Sequence, residues 1–286
     1  MKADNPKCLL SAPRPWRLNS IYRRILHLTK QHGLISIGKL NAKLFSKGEI
    51  VQLPHGASLY CPPDPHFFGF ILATHESHIT TLLHQLIQPG DVCFDVGANI
   101  GYFSNIMGKL VGPSGQVWAF EPVPENYEVL KLNTFLANHD TEIVRVIRAA
   151  VSDHDGIVRI VRKQFSTYHQ VAVIAGKVPS DAECIQSVTL DNEYISHHIG
   201  KHVSVIKVDV EGHEWPVVRG SEKLIRDKLI HNMIIELTPG PEMKLIQDLF
   251  DEWDVRYTCW LDNRWQATKL INLPIRTDVW AVAQKS

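Results

Sequence analysis

The sequence predicts an α/β protein with a Rossmann-like core on a mostly parallel sheet, and three observations carry that expectation. From residue 92 onward, short apolar runs alternate with stretches whose apolar residues recur at helical spacing. The first run ends Asp95-Val96-Gly97-Ala98-Asn99-Ile100-Gly101, an acid and a glycine turn ahead of a helix. The second ends Phe120-Glu121-Pro122, an acid at the neighbouring strand tip. In an open parallel sheet, the carboxyl ends of the strands are where small ligands bind.

In chain order, residues 1–13 are polar and proline-rich and are expected to be poorly ordered, as free termini usually are. Ile21, Tyr22, Ile25, Leu26 and Leu28 then fit an amphipathic helix ended by Gly33. Residues 50–60 alternate like a hairpin around His55-Gly56, and Pro62-Pro63-Asp64-Pro65 breaks the pattern. Residues 1–75 therefore read as an N-terminal helical and β extension, and 76–286 as the main domain.

In the main domain, Ile79, Leu82, Leu83, Leu86 and Ile87 make a helical stripe closed by Pro89-Gly90. Strands follow at 92–96, 116–120 and 143–147, separated by helices at 100–111 and 125–137. Such a βαβαβ series implies right-handed crossovers. Residues 155–191 break the rhythm with short β-like runs at 157–161, 171–174 and 187–190, an insertion at the sheet edge. Regularity returns with a strand at 203–208, a helix at 222–227, a strand at 233–237 and a helix at 243–253. Two β-like segments, 255–260 and 279–283, form a hairpin-like end.

Composition narrows the partners. Lys plus Arg and Asp plus Glu are both 30, so no overall field holds a polyanion and no nucleic-acid partner is expected. The 44% apolar and 21% charged residues are ordinary for a globular chain that builds a core without staples. Five cysteines, odd in number and widely spaced, read as reduced thiols without zinc-ligand spacing. The first residues lack the apolar run of a signal peptide, and no stretch reaches the roughly 18 apolar residues of a membrane span, so the expected location is cytoplasmic. Assembly into a homo-oligomer is left open.

The glycine turn carries the most chemistry. Gly97 lets backbone approach a ligand closely, and Gly101 lets the helix pack near the strand. A dinucleotide loop would have a second glycine where Asn99 stands, and a carboxylate at Asp95 would repel phosphate but accept hydrogen bonds from a cationic amino-acid moiety. Glu121, followed by Pro122, can accept both hydroxyls of a ribose. Adenosine joined to a zwitterionic tail describes S-adenosylmethionine, the expected cofactor. The third strand ends Ala149-Ala150-Val151-Ser152-Asp153, which places Ala150 in the adenine slot and Ser152 or Asp153 near the exocyclic amine. A turn at 152–156 explains the same residues.

A second dense stretch follows the fourth strand: Lys207-Val208-Asp209-Val210-Glu211-Gly212-His213-Glu214. Clustered carboxylates are electrostatically costly, so a cation, a proton or a substrate hydroxyl is expected among them. Methyl transfer needs an acceptor oxygen held in line and relieved of its proton, and imidazole titrates in the useful range, which makes His213 the first candidate base. Asp209, Glu211 and Glu214 are candidates to assist, and Asp209 to hold the cofactor's ammonium. A bare helix N-terminus with an acid in its first turn would explain His213 and Glu214 equally. Glu236, at the fifth strand tip, is a candidate for acceptor binding. Asp209 and Glu236 could share a divalent ion, but with no third clear ligand no metal is expected.

Asp91 with Asp95-Val96-Gly97-Ala98-Asn99-Ile100-Gly101, Phe120-Glu121-Pro122, Asp209-Val210-Glu211-Gly212 and Ile235-Glu236 resemble the FkbM family of methyltransferases over roughly residues 75–240. The resemblance implies a class I methyltransferase fold, seven strands with the last reversed. It also implies methyl transfer from S-adenosylmethionine, usually to oxygen of sugars, polyketides or related metabolites. By position it makes Asp95, Gly97, Asn99, Gly101 and Glu121 cofactor contacts and puts Asp209, Glu211 and Glu214 at the reaction site. It adds Glu76, the acid before the first motif, toward the cofactor's amino group or the acceptor, and does not support His213 as base. The first 70 residues and the insertion fall outside its motifs and are expected to select the acceptor, a small-molecule hydroxyl. Two rivals are a nicotinamide-dependent oxidoreductase, disfavoured by Asn99 and Asp95, and a noncatalytic S-adenosylmethionine-binding module, disfavoured by the intact acidic rim.

Overall fold

A computed structural model of the chain describes residues 48–53, 57–62, 75–137, 143–162, 169–171, 182–273 and 276–283. The helix expected near the N-terminus, the disorder expected of residues 1–13 and the expected His55-Gly56 turn lie outside the described residues. The chain divides into two compact units, Met1–His75 and Glu76–Ser286. In the first, β1 (Glu49–Gln52) pairs antiparallel with β2 (Ser58–Cys61), and β2 buries alternate residues as a strand with one covered face does.

The second unit opens with α1 (Ser77–Leu86), whose Ile79, Leu82 and Leu83 are buried as the stripe requires. Then come β3 (Val92–Val96), α2 (Tyr102–Val111), β4 (Gln116–Phe120), α3 (Pro124–Leu136) and β5 (Val144–Ile147). After the insertion follow β10 (Val203–Val208), α5 (Glu214–Arg219), α6 (Glu222–Arg226), β11 (Ile230–Leu237) and α7 (Glu242–Glu252). The end is β12 (Val255–Leu261), β13 (Arg264–Gln266) and β14 (Thr277–Ala283).

These strands form one sheet in the order β13-β12-β14-β11-β10-β3-β4-β5. β5, β4, β3, β10 and β11 are parallel, and β14 runs against β11 and β12. That is a class I methyltransferase sheet of seven strands with β14 reversed; the short β13, folded back on β12, adds an eighth that the sequence reading did not separate. One face buries Phe94, Val96, Phe120, Ile206, Val208 and Ile235 among residues of the helices from 190 to 252. Residues alternate across a strand, so Asp95 and Lys207, partners in register, project to the other face.

The insertion builds a second sheet, β6 (Ala150–Val151), β9 (Glu183–Val188), β7 (Gly156–Arg162) and β8 (His169–Val171) in that order. It is followed by α4 (Leu190–Ser196), where the sequence reading expected a strand to end. Thr189 caps that helix by accepting from the Asn192 N–H, and Asp155 takes the Thr189 N–H and the Asn192 amide, each at 2.7 Å. The β-like run 187–190, which contains Thr189 itself, masked this cap signal. α5 starts at Glu214 with His213 at its N-cap position, as the helix-N-terminus reading of those two residues expected. Among the described residues, no helix is long and apolar enough to cross a membrane.

Candidate active site

The parallel strands bring their carboxyl ends to one edge, where the tips of β3, β4 and β10 line a cleft that opens to solvent. The turn after β3 forms its floor. Gly97 has φ +81°, and a Cβ there would stand 2.0 Å from the Asp209 carbonyl oxygen. Backbone meets backbone, and only glycine serves. Gly97 and Ala98 both donate to the Phe120 carbonyl, at 3.0 and 2.9 Å, tying the tip of β3 to that of β4.

Asn99, in the left-handed region at φ +51°, turns its N–H onto Glu121 Oε2 at 2.8 Å, and the Val123 N–H reaches Oε1 at 2.9 Å. Glu121 is 4% exposed. Burial pushes it up to about 7, against the pull of those two N–H groups and Asn126. Each of its oxygens keeps acceptor capacity beyond the N–H it receives, which suits a vicinal diol.

Behind the floor lies a buried charge pair. Asp95 is 1% exposed, and Ser104 Oγ donates to its Oδ2 at 2.5 Å. Lys207, its register partner, lies over the Phe103 ring at 4.6 Å and donates to Asp209 Oδ2 at 3.1 Å. Burial opposes the Lys207 charge, but Asp209, Glu76 and Asp95 outweigh it and raise its pKa. Asp95 therefore stands in the wall and does not line the cleft. The sequence reading expected Asp95 to meet a ligand ammonium; the side chains that line the cleft on this side are Asp209 and Glu211.

At the open side, Arg276 lies just ahead of β14. It donates to Glu211 Oε2 at 2.8 Å and to Asp209 Oδ1 at 3.4 Å, and it contacts Glu236 Oε2. Glu76, at the start of α1 with φ +38°, completes the group. Carboxylate oxygens of Glu76, Asp209 and Glu236 lie within 4.8 Å of one another, a spacing that could hold a cation. Burial raises Glu76 to about 7. Burial and then the Asp209 charge push Glu236 up to about 9, while Lys207 and Arg276 overcome burial to hold Asp209 at about 2. The Asp209 charge thus disfavours a second charge on Glu236.

His213 departs from expectation. It is 2% exposed, and its Nε2 meets Ser152 Oγ at 3.0 Å. Burial first, and His154 after it, lower its pKa to about 4, with Asp153 opposing. The imidazole expected to titrate in the useful range is held neutral in the cleft wall, because the turn at Gly212 folds it inward beside β6. Glu214 receives the Gly212 N–H at 2.9 Å, and burial raises it to about 7. Gly220, after α5, sits so close to β6 that a Cβ would stand 1.9 Å from the Ser152 carbonyl oxygen.

Of the residues singled out from sequence, Gly97, Asn99, Glu121, Pro122, Ala150, Asp209, Glu211 and His213 line the cleft. Glu76 and Glu236 join Asp209 beside it. Ser152 backs His213, and Gly101 faces Leu130 of α3, where the sequence reading put it against the strand. Sequence reasoning missed Lys207, Arg276 and Asn126. Lys207 carried a signal, a cation inside a run of six buried strand residues. Arg276, isolated before the last strand, carried none.

Residues 95–258 match the methyltransferase FkbM domain. The 31-O-demethyl-FK506 methyltransferase FkbM of Streptomyces tacrolimicus is 32% identical over 139 residues, 48% of this chain and 50% of that one. The hexuronic acid methyltransferase AglP of Haloferax volcanii is 28% identical over 178 residues, 62% of this chain and 68% of that one. The chain thus spans half the length of the first and about two thirds of the second. A solved structure of methyltransferase FkbM from Methylobacillus flagellatus KT aligns at 15% identity and a TM-score of 0.45, over 74% of this chain and 52% of that one. The family match runs from the end of β3 into β12, more than half the chain, and takes in the glycine turn, Glu121 and the Asp209 stretch; the chain belongs to the methyltransferase FkbM domain family.

Proposed function

We propose that the chain is an S-adenosylmethionine-dependent methyltransferase acting on a hydroxyl oxygen of a small molecule. The observation that carries this reading is the cleft itself, with buried Glu121 beside a glycine turn at adjoining strand tips and Asp209 across from it. The donor set fits the cofactor. Glu121 suits the ribose, Pro122, Val123 and Ala150 suit the flanks of a purine, and ionised Asp209 suits the ammonium of the tail. Asn99 in the turn and the carboxylates of Asp209 and Glu211 along the cleft disfavour a pyrophosphate and so a dinucleotide.

Bound S-adenosylmethionine would supply an electrophilic methyl group. The chain's own residues hold the acceptor and its proton. Glu211 and Asp209 border the cleft, fixed by Arg276, so that the acceptor is positioned before reaction. Glu76, raised to about 7, is suited as base near neutral pH, in place of His213. Glu236 keeps its proton and can donate to an acceptor oxygen. The names of the relatives support an oxygen acceptor on a small molecule, one naming 31-O-demethyl-FK506 and the other hexuronic acid. The balanced net charge and the free cysteines among the described residues support a cytoplasmic enzyme that does not act on nucleic acid.

Calorimetry tests the cofactor. S-adenosylmethionine and S-adenosylhomocysteine should bind and nicotinamide dinucleotides should not; tight binding of a dinucleotide alone overturns the reading. Radiolabelled methyl transfer to a panel of sugars, uronic acids and hydroxylated polyketides then reads the acceptor class.

A further inference from the structure

His213 lines the cleft next to Ala149, Ala150 and Val151, and with the base role assigned to Glu76 above, its ring has no role there yet. Its surroundings fix which ring nitrogen carries the proton. Asp153 is half-exposed, and despite partial burial, hydrogen bonds from His154 and Ser152 hold it below its usual range, so it only accepts. His154 Nδ1 lies 2.7 Å from Asp153 Oδ1, and Ser152 Oγ donates to the same oxygen at 3.2 Å. With its one hydrogen spent there, Ser152 Oγ must accept from His213 Nε2, 3.0 Å away. The neutral ring then has Nε2–H and a bare lone pair on Nδ1. Among the described residues, the ring's only hydrogen bond is the one through Nε2.

We propose that His213 is the purine-reading residue of the cleft: its Nδ1, kept proton-free by the Asp153–Ser152–His213 series, accepts from the exocyclic amine of adenine and rejects a 6-oxo purine. A carbonyl at that position would set oxygen lone pair against nitrogen lone pair, and the Nδ1 acceptor would go unanswered in the bound complex. This rests on the cofactor assigned above, and it moves the amine contact from Ser152 or Asp153 to the histidine they orient.

The test is calorimetry of two ligands, S-adenosylhomocysteine and its 6-oxo counterpart S-inosylhomocysteine, on the full chain. The wild-type protein should prefer the adenine form by roughly 10- to 100-fold. His213→Gln can present either end of its amide, so it should hold the adenine form within about fivefold while the preference falls below about threefold. Ser152→Ala frees the ring to change tautomer and should lower the preference as well. Partial unfolding of a variant weakens both ligands equally and leaves the ratio alone. A wild-type ratio near one, or a ratio unchanged in both variants, overturns the inference. Nitrogen-15 spectra of the imidazole should show the Nε2–H form at neutral pH, and the Nδ1–H form would overturn it too. If neither ligand binds the wild-type protein, the cofactor assignment itself falls, which is a separate result.

Discussion

The two halves of the site answer their carboxylates differently. In the cleft, Glu121 is buried on backbone N–H groups from residues 99 and 123, close neighbours in the chain. In the acidic group beside it, Asp209, Glu211 and Glu236 are answered by side-chain cations, Lys207 and Arg276, the latter from the far end of the sequence. A backbone donor stays where the turn puts it, while a guanidinium on a long stem can yield to a ligand. The first arrangement suits a site that always holds the same cofactor. The second suits one that must admit an acceptor and pass on its proton.

If the cleft is set by backbone, its turn should tolerate least. Gly97→Ala places a methyl group against the Asp209 carbonyl at positive φ and should cost about 3 kcal/mol or more and abolish S-adenosylhomocysteine binding. Wild-type denaturant midpoint and affinity in that variant would show that the turn is not the limit. Glu121 sharpens the contrast through pH. Its folded pKa of about 7 is above its unfolded value, so its contribution to stability is full below the unfolded value and is lost as pH rises through about 7. Glu121→Gln should flatten that decline between pH 5 and 8, by on the order of 2 kcal/mol, and weaken S-adenosylhomocysteine. An unaltered slope would mean the carboxylate is solvated.

On the acidic side the effects should be smaller and fall on turnover. Arg276→Ala leaves three acids facing one another and should cost about 1–2 kcal/mol, discounted for its partial exposure. Cofactor affinity should change less than about threefold while kcat/KM drops. Adding Glu211→Gln should recover part of the stability in a double-mutant cycle, and strict additivity would separate the two residues. The smallest effect is expected at Glu214→Ala, about 1 kcal/mol for the Gly212 N–H it leaves unanswered, with affinity unchanged.

The same contrast explains what the sequence revealed. The cleft was legible because its parts are local: a strand, a glycine turn and an acid on the next strand follow one another within about thirty residues. The acidic group was legible in part: Asp209 and Glu236 were read as strand-tip acids able to share an ion, while the cation between them was not. Nothing near Glu236 or Arg276 says that they meet, since β14 enters the sheet between β11 and β12 out of chain order. His213 was misjudged for a related reason. Residue type suggested a base, but the fold of the Gly212 turn decides whether an imidazole faces solvent or the wall. The caps of α4 were present in Thr189 and Asn192 and were overridden by the β-like run that contains Thr189.

Gly97 against Asp209 and Gly220 against Ser152 are two places where main chain touches main chain at the cleft. Neither place has room for a Cβ, so in any redesign Val123, Ala149 and Val151, which line the cleft with side chains, are open to change while these two glycines are not.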